Sequence, residues 1–109
     1  MKPVEWRDQA RRDAAGSAWW YAGQGGLPLG ERFLTQVHAT LSLIARHPAA
    51  GSMRHARLIP DLPVALRFLP VAGFERRHLV YYLDLPARVD VVRIWNCDRG
   101  LHALMDGTE

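Results

Sequence analysis

Hydrophobic and polar positions follow one period in the first half of the chain and another in the second. Residues 2–7 alternate loosely, which predicts a short opening strand. Asp8 is a suitable helix N-cap, because its carboxylate can accept from free backbone N–H groups of a first turn. From Gln9 to about Gln24 the spacing is helical, with Ala10, Ala14, Ala18 and Tyr21 on one face and Trp19 and Trp20 flanking it. Gly23, Gly25 and Gly26, then Pro28 and Gly30, end it. A second helix is predicted from about Leu29 to Arg46. Phe33, Val37, Leu41 and Ile44 form its stripe, Leu34 and Leu43 reinforce it, and Arg32, Gln36 and Thr40 lie away from it. His47-Pro48 closes this helix, since a residue before proline avoids the α region. Two helices joined by a short Gly/Pro turn pack as an antiparallel hairpin.

Beyond Pro48 the period shortens. Arg54 to Ile59 reads as extended, and Pro60 and Pro63 bracket a turn. Val64–Val71 reads as a strand, Arg77–Leu85 as a stronger one, and Val89–Trp95 as a third after the turn Leu85-Pro86-Ala87-Arg88. Short links between consecutive strands predict an antiparallel meander. Leu101, Leu104 and Met105 recur at helical spacing within Arg99–Met105. The expected plan is α+β in two layers, β-α-α-β-β-β with a short C-terminal tail: a helical hairpin packed on a small, mainly antiparallel sheet.

At 109 residues the length suits one domain spanning 1–109, and 49% apolar with 23% charged residues excludes a disordered chain or a coiled-coil rod. No apolar run approaches the ~20 residues of a membrane helix. Met1-Lys2-Pro3-Val4-Glu5-Trp6 lacks the apolar stretch of a signal peptide. The single Cys97 cannot form an internal disulfide, so a cytoplasmic setting is expected. The formal charge is +3, and Lys2 is the only basic residue that is not Arg. Residues 1–45 carry +1 and residues 46–99 carry +4, whereas Asp106 and Glu109 make the tail −2. A basic second half suggests a polyanionic partner, nucleic acid or an acidic protein.

Gly23-Gln24-Gly25-Gly26-Leu27-Pro28 has Pro where a dinucleotide loop needs its third Gly, and it follows a helix, so it reads as a hairpin turn. His38, His47, His55, His78 and His102 show no metal-ligand spacing; no metal and no cofactor is expected. Asp98 beside Cys97 raises the thiol pKa and argues against a nucleophile. Arg67, between Leu66 and Phe68, and Arg93, between Val92 and Ile94, point away from their apolar neighbours. If the two faces coincide, a pair of guanidinium groups stands on one sheet surface, ready for phosphate or carboxylate; alternatively they pair with Asp84 or Asp90 on neighbouring strands.

Taken in order, these residues resemble the ParE/RelE superfamily of bacterial type II toxins, nearer the ParE branch. The carriers are Ala10 with Asp13, Tyr21, Phe33, Pro48 with Gly51, Leu66-Arg67, Val80-Tyr81-Tyr82 and Val92-Arg93-Ile94-Trp95-Asn96-Cys97-Asp98-Arg99, spread from about Val4 to Met105. The chain departs from ParE-like sequences at Asn96, where a His is usual, and at Gly100, where an Asp is usual. It departs from RelE-type ribonucleases in having no aromatic residue after Trp95 and only Lys2 as lysine.

The resemblance implies a toxin that acts by binding DNA gyrase and is neutralised by a small ParD-like antitoxin in a toxin–antitoxin hetero-oligomer, with no membrane partner. Arg67, Arg93, Trp95, Arg99, Trp19, Trp20 and Tyr21 are the expected target- or partner-binding residues, an apolar patch with Arg anchors. No catalytic residue is favoured. The alternative is a RelE-like, ribosome-dependent mRNA endonuclease in which Arg67 and Arg99 stabilise charge and His102 moves a proton. A third possibility is a toxin fold that has lost its toxicity and only binds its partner.

Overall fold

The computed structural model describes residues 1–105; the acidic tail residues Asp106 and Glu109 lie outside them. Four strands, β1 (Val4–Trp6), β2 (Arg67–Pro70), β3 (His78–Asp84) and β4 (Val89–Asn96), form one sheet in the order β1-β4-β3-β2. Helices α1 (Asp8–Gly25) and α2 (Leu27–Arg46) intervene between β1 and β2, and a short α3 (Gly100–Met105) follows β4. The β2-β3-β4 meander is antiparallel, as the short links predict, while β1 returns to pair in parallel with β4.

The hairpin turns on one residue. Gly26 takes φ +93°, a left-handed conformation that costs glycine nothing, and its N–H closes on the carbonyl of Ala22. That single break lets α2 begin at Leu27, earlier than expected, because Pro28 is tolerated in a first turn where its missing N–H is not needed. Gly30 then allows the helices to touch: a Cβ there would lie 2.6 Å from the carbonyl oxygen of Ala18. Asp8 is not a cap. It lies inside the first turn of α1, and the preceding Arg7 continues the strand ladder by donating its backbone N–H to Val91.

On the sheet face toward the hairpin, Phe33, Val37 and Ile44 meet Val80, Tyr82 and Val91, all fully buried. Thr40 is buried with them rather than facing away; its hydroxyl donates to the carbonyl of Gln36 and accepts from the N–H of Ala72, tying α2 to the β2–β3 loop. The opposite sheet face is covered too, which the two-layer expectation missed. Residues 53–66, a run of turns rather than an extended stretch, pass beneath the sheet with Leu58, Ile59, Leu62 and Val64 against Tyr81, Leu83 and Trp95. Leu104 of α3 closes the other end of this patch. The segment joins the sheet by one isolated bridge, Ser52 to Phe68. The strand expected over Val64–Val71 is thereby confined to β2.

Candidate functional site

Arg67 and Arg93 do not share a surface. Arg67 stands opposite Tyr82 on β3 and Arg93 opposite Tyr81, and adjacent strand residues face opposite ways. A register shift at Tyr81/Tyr82, with Val91 paired to Tyr82, leaves Val92 as the extra residue of a bulge, so that Arg93 follows it just past the stretch that β1 pairs. There it reaches Asp13 of α1: Nε donates at 2.7 Å to Oδ2 and an η-nitrogen at 2.9 Å to Oδ1, both side chains being almost wholly buried. Oδ2 also accepts the backbone N–H of Ile94 at 3.1 Å. The partner of Arg93 is thus neither Asp84, which pairs with Lys2, nor Asp90, which pairs with Arg7. Asp13 was discernible in the sequence as a carboxylate one residue before the buried Ala14.

Arg67 is occupied elsewhere. It donates to the carbonyls of Ala49 at 3.1 Å and Gly51 at 3.0 Å, at the 3-10 turn Pro48–Ala50 that follows α2. Tyr82 braces the same turn, donating its hydroxyl to the carbonyl of Pro48 and accepting the N–H of Gly51. Together they fix the crossover from hairpin to sheet.

Two of the expected contact aromatics belong to the interior. Trp95 is fully buried beneath Leu104, with the guanidinium groups of Arg93 and Arg99 at 4.9 and 4.5 Å from its ring. Tyr21 is buried among Phe33, Phe74 and His78. The other two are surface residues: Trp19 is 71% and Trp20 49% exposed. Neighbours on a helix point about 100° apart, so they border different hollows. Trp19 borders an apolar groove of about 250 Å³ between α1 and α2, where Leu27 and Leu34 form the far wall and Gly30 the floor. Trp20 borders a cleft of about 300 Å³ and mixed lining between α1 and the end of β4, shared with Arg12, Asp13, Ser17, Asn96 and Arg99 and with Gly16 and Ile94. The sequence reading placed Arg99 and Trp20 on the surface and missed Arg12, Gly16 and Ser17. Two small residues, Gly16 and Ser17, one turn beyond an Arg, are the signal that marks such an opening. His102 is exposed on α3.

The perturbed titrating groups are interior. His78 lies within 2.9 Å of the Tyr21 hydroxyl, and burial, then the nearby Arg77 charge, lower its pKa from 6.5 to about 4. His55 lies 2.7 Å from the Tyr81 hydroxyl and stacks on Phe68; burial, then Arg54, lowers its pKa too. Tyr81 is pushed up to about 12, by burial first and then by Cys97. Burial and Asp98 raise the Cys97 thiol, the direction the sequence implied. Among the described residues no three His, Cys, Asp or Glu side chains converge as metal ligands, and no helix is long and apolar enough to cross a membrane.

Residues 4–100 match the family model described as the ParE toxin of type II toxin–antitoxin system, parDE. Among solved structures, a chain from the chromosomal ParDE toxin–antitoxin system of P. aeruginosa superposes with a TM-score of 0.70 at 14% identity, over 88% of this chain and 96% of that one. No curated protein matches in sequence.

Proposed function

The chain belongs to the ParE toxin family of type II toxin–antitoxin systems, and we propose that it acts by docking on DNA gyrase, without chemistry of its own, and is silenced by a cognate antitoxin. The observation that carries this reading is the fate of the candidate catalytic groups. Cleavage of RNA needs a base, an acid and cations gathered at one phosphate. Here Arg67 is committed to the carbonyls of Ala49 and Gly51. Arg99 lies 4.5 Å from the Trp95 ring just after β4 and His102 is exposed on α3, so the three candidate groups stand on different elements. The sheet face that holds Tyr81 and Trp95 lies under residues 53–66 and Leu104.

What remains on the surface suits binding. Trp19 and Leu27, 71% and 63% exposed, border an apolar groove along the hairpin that fits an amphipathic helix of an antitoxin. An exposed apolar groove of this kind on a small protein marks an interaction site.

The test is a supercoiling assay with purified gyrase. Inhibition that is relieved by the antitoxin encoded beside this gene, with messenger RNA left intact in a translating extract, is the expected result. Cut messenger RNA with unaffected supercoiling overturns the reading in favour of the ribonuclease alternative.

A further inference from the structure

The apolar groove between α1 and α2 has opposite charges at its two ends. Ala15 and Trp19 border it on α1, and Arg11 continues their row toward the start of that helix; all three are exposed. Glu31 and Leu34 border it on α2, and His38 continues that row. Arg11 and His38 converge at this end: the guanidinium stands 5.7 Å and the imidazole 5.8 Å from the same Trp6 ring. Glu31, the charged residue on the groove itself, is exposed and makes no ion pair among the described residues.

Gly30 packs on Ala18, which sets the two helices level at those residues. With a rise of about 1.5 Å per residue, Leu34 then lies beside Ala15, Glu31 about 4.5 Å nearer the hairpin tip and Arg11 about 4.5 Å farther from it. Acid and base are thus equidistant from Leu34. A partner for such a face must carry the same charges in reverse order about an apolar middle. The same face, rotated by half a turn about an axis at Leu34, does so, and this self-complementarity is what a two-fold interface requires. Asp8, one turn before Arg11, then falls against residues 23–28 of the other copy, which carry no charge.

We propose that the free protein pairs with a second copy of itself through this groove, the two hairpins antiparallel in a four-helix bundle, with Glu31 of each copy against Arg11 and His38 of the other. Trp19, the most exposed large apolar side chain of the hairpin, is thereby taken out of water. A helical side chain covers the turn before its own Cα, so this indole lies toward Ala15 and the middle of the interface. The apolar middle supplies the burial, and the charges at the rim set the register. A second copy and an antitoxin helix cannot fill the groove together, so capture by an antitoxin would split the pair. The pairing itself does not rest on that reading.

The test is sedimentation of the full chain alone, with neither gyrase nor antitoxin present. The mass is expected to rise from 12.3 kDa in dilute solution to twice that at about 100 µM. Arg11→Glu and Glu31→Arg are each expected to weaken the dimer about tenfold or more, because each sets like charges together twice in one dimer. Mixed in equal amounts, the two variants restore both opposite-charge pairs, and the affinity is expected to return to within about threefold of the original. Both positions are exposed and helical, and Glu and Arg are both good helix formers, so each variant should keep the far-UV circular dichroism of the original chain. A chain that stays at 12.3 kDa up to about 100 µM overturns the proposal. So does a dimer that both variants leave intact, or a mixture of the two that binds no more tightly than either alone.

Discussion

The two faces of the sheet are covered by opposite means. The hairpin covers one with regular helices, whose stripe interlocks with Val80, Tyr82 and Val91. The other is covered by residues 53–66, irregular chain with half-buried Leu58, Ile59, Leu62 and Val64, and by the single turn or so of α3. A helix satisfies its own backbone and brings a continuous apolar stripe, whereas a loop must leave much of its backbone toward water. One face is therefore a core, and the other is a core with a thin lid of side chains.

The contrast can be broken most severely at the seam, where Asp13 links the hairpin to β4. Asp13→Ala takes the carboxylate away from the buried Arg93 and is expected to cost about 3–5 kcal/mol, read as a lower urea midpoint. Adding Arg93→Leu should recover part of the loss, because a buried charge that has lost its carboxylate is worse than an apolar side chain.

Next come matched truncations on the two faces. Phe33→Ala, under the hairpin, should cost about 3–5 kcal/mol. Leu62→Ala, on the loop side, should cost about 1 kcal/mol. Equal losses would show that the loop layer is as well packed as the hairpin.

Acid should separate the faces again. His78 stays neutral in the folded protein down to about pH 4, whereas the unfolded chain takes up that proton near 6.5. The unfolded state thus binds more protons in this window, so stability is complete above about 6.5 and falls as pH drops toward about 4. His55, beneath the loop layer, shifts in the same direction. Urea midpoints at several pH values should show the slope, and His78→Phe should flatten more of it than His55→Phe.

The smallest effect is expected outside both cores. Trp19→Ala should change stability by no more than about 0.5 kcal/mol while weakening antitoxin binding, measured by calorimetry.

The hairpin was legible because helical stripes at Ala10, Ala14 and Ala18 and at Phe33, Val37 and Ile44 need only a period and a stop. The meander was legible for the same reason. The second covering was not. β3 and β4 are buried almost throughout, so neither shows the alternation that marks one solvated face, and nothing in residues 53–66 has a period to read. At the candidate site, the exposed Trp19, Trp20 and Arg99 were within reach of composition and flanking residues. The burial of Tyr21 and Trp95 was not, because it depends on Phe74 and Leu104, distant in sequence. The opposite facing of Arg67 and Arg93 turns on one extra residue in β4, and alternation counting has no means of seeing a bulge.

The carboxylate of Asp13 has a consequence for how copies of this protein coexist. β1 pairs only with Val89–Val91, so among the described residues the edge of β4 beyond Val91 has no strand beside it, and an unpaired edge is where another chain can add. Asp13 occupies the amide of Ile94 on that edge and stations a charged pair across it. An edge whose amide is already taken and whose flank carries charge offers less purchase to a strand of a second copy.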